Sequence, residues 1–168
     1  MKRFGIMLII IILCFLLQST FFQALALADV VPNLLLIITV AVGYMRGRKE
    51  GLVIGLICGL LSDFVYSDVI GVCALIYMVI GYLNGIFNML FFRDVLTIPI
   101  LLIGVSDLVY NFMYYVMEFL LRSRLNLFFY FRRIMIPELV YTVLVSVLLY
   151  KLLHNLNAFL ERRENKEV

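Results

Sequence analysis

Charge is the scarcest commodity in this sequence of 168 residues: Asp, Glu, Lys and Arg together make up 15% of it, against about 25% in soluble domains. The apolar share is 65% and the mean hydropathy +1.10. A soluble domain of this length has too little interior to hide so much apolar surface. That excludes a soluble globular protein, a disordered chain and a nucleic-acid binder. There is one histidine, His154, so no His pair exists to hold a metal. Three cysteines, Cys14, Cys58 and Cys73, all fall in apolar segments, at spacings that fit neither a zinc site nor a redox pair. No nucleophile elbow and no phosphate-binding loop is present. Enzymatic constellations are absent, and no cofactor or metal is expected.

What is present is a succession of apolar runs. A helical crossing of a bilayer takes about 20 apolar residues, and an open sheet cannot cross at all. The pattern predicts an all-α polytopic membrane protein, one integral membrane domain over 1–168. Six transmembrane helices are expected near 4–28, 32–45, 51–66, 71–92, 95–121 and 134–153, with a charged cytoplasmic tail at 154–168. Overlapping A-x-A patterns in Ala24-Leu25-Ala26-Leu27-Ala28 raise the alternative of a cleaved signal peptide. The apolar stretch is too long for a typical signal core and another follows at once, so an uncleaved first helix is preferred. Pro32 suits the first turn of the second helix. The aromatic run between Arg122 and Arg133 is expected at the interface.

With the N-terminus inside, Lys2, Arg3, Arg46, Arg48, Lys49, Arg93, Arg162, Arg163 and Lys166 fall on the cytoplasmic side. Arg122, Arg124, Arg132 and Arg133 fall outside. Nine against four agrees with the positive-inside rule and puts both termini in the cytoplasm. The four Arg outside would themselves prefer the cytoplasm, which leaves five crossings as an alternative.

Four groups of residues inside these runs could carry function. Gly51, Gly55 and Gly59 recur every four residues and end on Asp63, forming a slowly turning groove of small residues that lets helix backbones approach closely. It serves either tight internal packing or a groove for a partner's single helix. Gly71, Ala74, Met78, Gly81, Gly85 and Asn88 make a similar seam on the fourth helix, most simply internal. Asp107, Asn111, Tyr114 and Glu118 form one intramembrane polar stripe on the fifth. A charge as deep as Asp107 costs several kcal/mol, so it is protonated, hydrogen-bonded within the bundle, or facing a wet groove for a partner or ligand. Asp68, Arg132, Arg133 and Glu138 collect near the outer side, either as solvated helix ends or as an outer polar recognition patch.

The stretch from Pro32-Asn33-Leu34 to Gly81-Tyr82 resembles the MreD family of rod shape-determining membrane proteins of bacteria. The features that carry this are Pro32-Asn33 opening the second helix, the basic loop Arg46-Gly47-Arg48-Lys49-Glu50, the Gly51-x3-Gly55-x3-Gly59-x3-Asp63 run and Gly71-x2-Ala74 opening the fourth. Ile136-Pro137-Glu138 with Tyr141 adds to them, and the length and layout match across the chain. The resemblance implies a multi-pass protein of the bacterial cytoplasmic membrane. It would work with MreC, and through it with actin-like MreB and the peptidoglycan synthases, to direct side-wall growth. It also implies a bundle like that of the substrate-binding S components of energy-coupling factor vitamin transporters. Such a subunit is the alternative function, although Ala24 and Ala28 lie too near the outer end of the first helix for the small-residue motif of those subunits.

Six crossings with both termini inside have a direct test. Cysteines placed at Ser67 and Ser123 should both react with an impermeant thiol reagent added to intact cells. Reaction at position 123 only after lysis would mean five crossings.

Overall fold

In the computed structural model the described residues are 2–24, 30–67, 70–90, 96–122 and 126–167. They form six helical rods. Helix α1 runs Lys2–Leu16, widens into a π turn at Leu17–Phe21 and ends with Phe22–Ala24. Helices α2 (Leu34–Arg46), α3 (Arg48–Tyr66), α4 (Val72–Leu90) and α5 (Thr97–Arg122) follow. Helix α6 starts at Leu127–Tyr130, passes a π turn at Phe131–Met135 and continues as Ile136–Glu167. The all-helical expectation holds. Three stretches, Phe4–Phe21, Thr97–Met117 and Phe128–Phe159, are long and apolar enough to cross a membrane, and Leu34–Arg46 and Val72–Asn88 are shorter apolar helices.

Several boundaries move. The sixth helix begins at Leu127, because the aromatic run preceding the expected start is itself helical. Pro137 lacks the N–H that an unbroken α-helix needs, and the π turn just before it is the kind of local adjustment such a helix makes. The charged tail is no loose extension, since α6 continues through it to Glu167. Pro32 lies before α2 rather than in its first turn, and Asn33 is the capping residue. The Ala24–Ala28 stretch lies mostly outside the described residues.

The architecture is centred on α2. Every residue from Leu34 to Met45 is buried, and α2 touches each of the other five helices. Its residues are apolar all round, which marks a helix enclosed on every side. The other helices turn apolar side chains outward, with Phe64 70% and Leu148 77% exposed. Their polar residues point inward: Asp63, Asn84, Ser106, Asp107, Asn111, Thr142 and Ser146 are all buried. A soluble protein has the reverse arrangement. Here the outer surface suits lipid and the interior holds the polar groups lipid would not tolerate.

Two glycines make the tight links. Gly47 alone joins α2 to α3 with φ +95°, and Gly71 precedes α4 with φ +110°. Both lie in the left-handed region, where a side chain is strained.

Helices α3 and α4 are the most intimate pair, and the glycine run explains it. A Cβ added at Gly51 would collide with the Gly81 carbonyl oxygen, one at Gly55 with the Tyr77 carbonyl, and one at Gly59 with Ala74 Cα. From α4, a Cβ at Gly85 would come within 2.5 Å of Arg48 Cα. Gly43 of α2 joins them, for a Cβ on Gly51 would lie 2.7 Å from Gly43 Cα. The groove left open in the sequence for a partner's helix is therefore filled by α4 of the same chain. In lipid, where burial of apolar surface drives little association between helices, such close backbone contact is a main source of attraction.

Gly55→Leu should cost the protein its own stability. The new side chain meets Tyr77 C at 2.9 Å and Met78 Cα at 3.1 Å, atoms of backbone that cannot swing aside. Overpacking of about 1–3 kcal/mol should appear as lower membrane abundance and a lower unfolding temperature in detergent. Gly5→Leu is the control, since nothing lies within 4 Å of a Cβ there.

Candidate functional site

The two ends of α2 define two polar regions. At 13 residues, α2 is about 20 Å long, shorter than a hydrocarbon core of about 30 Å. Its free N–H and C=O groups must find partners inside the protein. At its start, Asn33 Oδ1 accepts from the Leu36 N–H at 3.2 Å and from the Tyr77 hydroxyl at 2.6 Å. The Leu35 N–H donates to Gln18 Oε1 of α1 at 3.2 Å, and the Asn33 N–H donates to Thr142 Oγ1 of α6 at 3.2 Å. The π turn in α1 contains Gln18, a buried polar residue. At the far end, the Asn88 side-chain amide donates to the Tyr44 carbonyl. Arg46 donates to Asn157 Oδ1 of α6 at 2.9 Å and pairs with Glu50 at 3.0 Å.

Asp63 belongs to the Asn33 end. It is 0% exposed. Its Oδ2 accepts from the N–H groups of Gly71 and Ala74, both at 2.9 Å, and its Oδ1 from Cys73 N–H at 3.0 Å. All three donors lie at the start of α4, so the carboxylate caps that helix and favours its positive end. Asp63 was expected to close a docking groove with a polar anchor. Its oxygens are instead committed to its own chain.

The polar stripe of α5 divides. Asp107 and Asn111 are buried. The Asn111 side-chain amide donates to the Asp107 backbone carbonyl at 3.1 Å. Both carboxyl oxygens of Asp107 are buried without a hydrogen-bond partner among the described residues. Tyr114 is partly buried against the core and stacks on Tyr110, ring centroids 5.9 Å apart. The side chain of Glu118 lies outside the described residues, as do those of Arg122 and Arg124 and the whole of Asp68.

The outer patch does not assemble as one surface. Arg132 and Arg133 are exposed on the π turn, and the Arg133 guanidinium lies 5.5 Å from the Phe129 ring centre, a cation–π contact. Glu138, five residues on, turns into the bundle. It is within hydrogen-bonding reach of the Asn111 side chain and within electrostatic range of Asp107, Tyr77 and Tyr110. Arg132 and Arg133 project from the exposed side of the π turn, and Glu138 lies beyond it on the face of α6 that lines the cavity.

Glu138 also lines a cavity of about 280 Å³ at the Asn33 end, bounded by Gln18, Val30, Val31, Asn33, Ser62, Tyr66, Tyr110, Ile134 and Glu138. Helices α1, α3, α5 and α6 and the segment leading into α2 all contribute to its wall. The sequence singled out Glu138, though for an outer patch, and offered a signal for Asn33, since an Asn directly before an apolar run is a capping residue. The convergence of Gln18, Asn33, Tyr77 and Thr142 has no local signature, because each comes from a different helix. Among the described residues no cluster of three or more His, Cys, Asp or Glu could hold a metal.

An apolar exterior, a polar interior and three helices of crossing length define a polytopic helical membrane protein. The family model for the rod shape-determining protein MreD matches residues 1–159. The chain belongs to the MreD family, and it is a rod shape-determining membrane protein on that membership. No curated protein and no solved structure matches it.

Asp63→Asn should destabilise the fold. One of the two acceptor oxygens is replaced by an amide that faces backbone donors. An unmet buried donor costs roughly 1–3 kcal/mol, readable as a lower unfolding temperature in detergent. Asp63→Glu should recover little, since its longer side chain cannot reproduce three contacts of 2.9–3.0 Å.

Proposed function

We propose that the protein is a non-enzymatic organiser of side-wall growth in the bacterial cytoplasmic membrane. It binds MreC and, through it, helps couple MreB filaments to the peptidoglycan synthases of the elongation machinery. The observation that carries this reading is the family match over residues 1–159. Interior polar groups such as Asn33 and Asp63 cap helices, which accords with the non-enzymatic part of this reading. In this reading the chain crosses six times, with both termini in the cytoplasm and the Asn33 end facing outward.

The MreC contact uses the lipid-facing surface of the bundle rather than the glycine seam. The seam is occupied by α4, so a partner helix could enter only by displacing it. Exposed apolar side chains on α3, such as Phe64, Val65 and Leu56, remain available beside it.

Depletion of the protein in growing rods should give rounded cells while vitamin uptake stays normal. Co-purification with MreC should fall when Phe64 and Leu56 are replaced together by Ala, at unchanged abundance. Cells that keep their shape but show a growth defect rescued by a vitamin would favour the transporter subunit instead.

A further inference from the structure

We propose that the cavity at the Asn33 end is a binding site for a small organic cation, an alkylammonium or guanidinium group. This inference is independent of the contact with MreC.

Three observations converge on it. First, the cavity of about 280 Å³ is walled by four helices and the segment leading into α2, and carries Glu138 on its surface. Its volume falls just below the range of drug-sized pockets, about 300–1,000 Å³, which suits a small metabolite. Second, a buried carboxyl group without a partner stands behind the Glu138 wall. Asp107 stands within electrostatic range of Glu138; it is 0% exposed, and both its carboxyl oxygens are unpartnered among the described residues. No ion pair to either carboxyl is seen among the described residues, where Arg46–Glu50 is the pair present. Buried carboxyl groups are normally paired or hydrogen-bonded, and a cation entering beside Glu138 would favour its ionised form and supply a partner.

Third, the remaining wall selects an organic cation over a metal ion. Hard metal ions are held mainly by carboxylates, and Glu138 is the single carboxylate among the residues lining the cavity, with no cluster of three or more His, Cys, Asp or Glu among the described residues. The wall has instead the rings of Tyr66 and Tyr110 and the aliphatic side chains of Val30, Val31 and Ile134. Tyr77 lies edge-on to Tyr110, centroids 5.2 Å apart. Aromatic faces attract ammonium and guanidinium groups, and the valines and isoleucine accept an alkyl portion. Gln18, Asn33 and Ser62 add polar groups that would fix its orientation.

The test uses full-length protein in lipid nanodiscs and a thermal unfolding readout. n-Butylammonium should raise the unfolding temperature with a saturable dose dependence. n-Butanol, n-butyrate and sodium chloride at matched concentration should not. Glu138→Gln keeps the size and removes the charge, and should weaken the apparent affinity by roughly tenfold or more, the scale expected when one partner of a buried charge pair is lost. Val31→Phe narrows the cavity without touching either carboxyl and should also abolish the shift. It decides the matter should Glu138→Gln fail to fold. A shift of equal size with butanol or sodium chloride, no saturable shift with butylammonium, or a shift retained in Val31→Phe would each overturn the proposal.

Discussion

The backbone ends of α2 are the constraint on which the structure depends. A helix about 20 Å long, enclosed by five others, has free amide groups at its buried start and free carbonyls at the other end, and the start has no bulk water to serve it. The neighbours supply the partners. Gln18 of α1, Tyr77 of α4 and Thr142 of α6 all serve Asn33 or the first turn of α2. Asn88 of α4 serves the Tyr44 carbonyl, and Asn157 of α6 holds Arg46 at the last turn. Each of these side chains is polar and faces inward on a helix whose outer side is apolar. These inward-facing polar groups are thus the consequence of placing a short helix at the centre.

The same requirement appears at the start of α4, where Asp63 takes three backbone N–H groups at 2.9–3.0 Å. The cap draws the end of α3 onto the start of α4. From there the two helices run together along a seam where glycine or alanine faces backbone at Gly59, Gly55 and Gly51. A carboxylate at one end and absent side chains along the length do one job: they bring two backbones into contact where no water is displaced to drive the association.

Much of this layout was legible in the sequence. The helices were visible as apolar runs, and the spacing of Gly51, Gly55, Gly59 and Asp63 announced a close helix contact. What it could not tell was which helix fills the groove, because small residues permit close approach by any backbone. The depth of Asp107 was evident from its place in an apolar run, and its lack of a hydrogen-bond partner was not, since that depends on what faces it from other helices. The expected outer patch failed for a related reason. Arg132, Arg133 and Glu138 are neighbours in sequence, yet the turn of the helix sends the arginines outward and the glutamate inward. Proximity along the chain is a poor guide to proximity in space once a segment is helical.

Helix α6 carries one more implication. From Ile136 to Glu167 it is a single rod of 32 residues, about 48 Å long, well beyond the thickness of a hydrocarbon core. Glu138 at the cavity and Asn157 at the Arg46 contact are both on it, 19 residues and so about 28 Å apart. From Glu138 onward this helix has no proline or glycine, and such a helix resists sharp bending. Its two attachment points therefore behave like the ends of a stiff pushrod, and whatever tilts or slides the helix at the cavity must move the opposite end by a comparable amount.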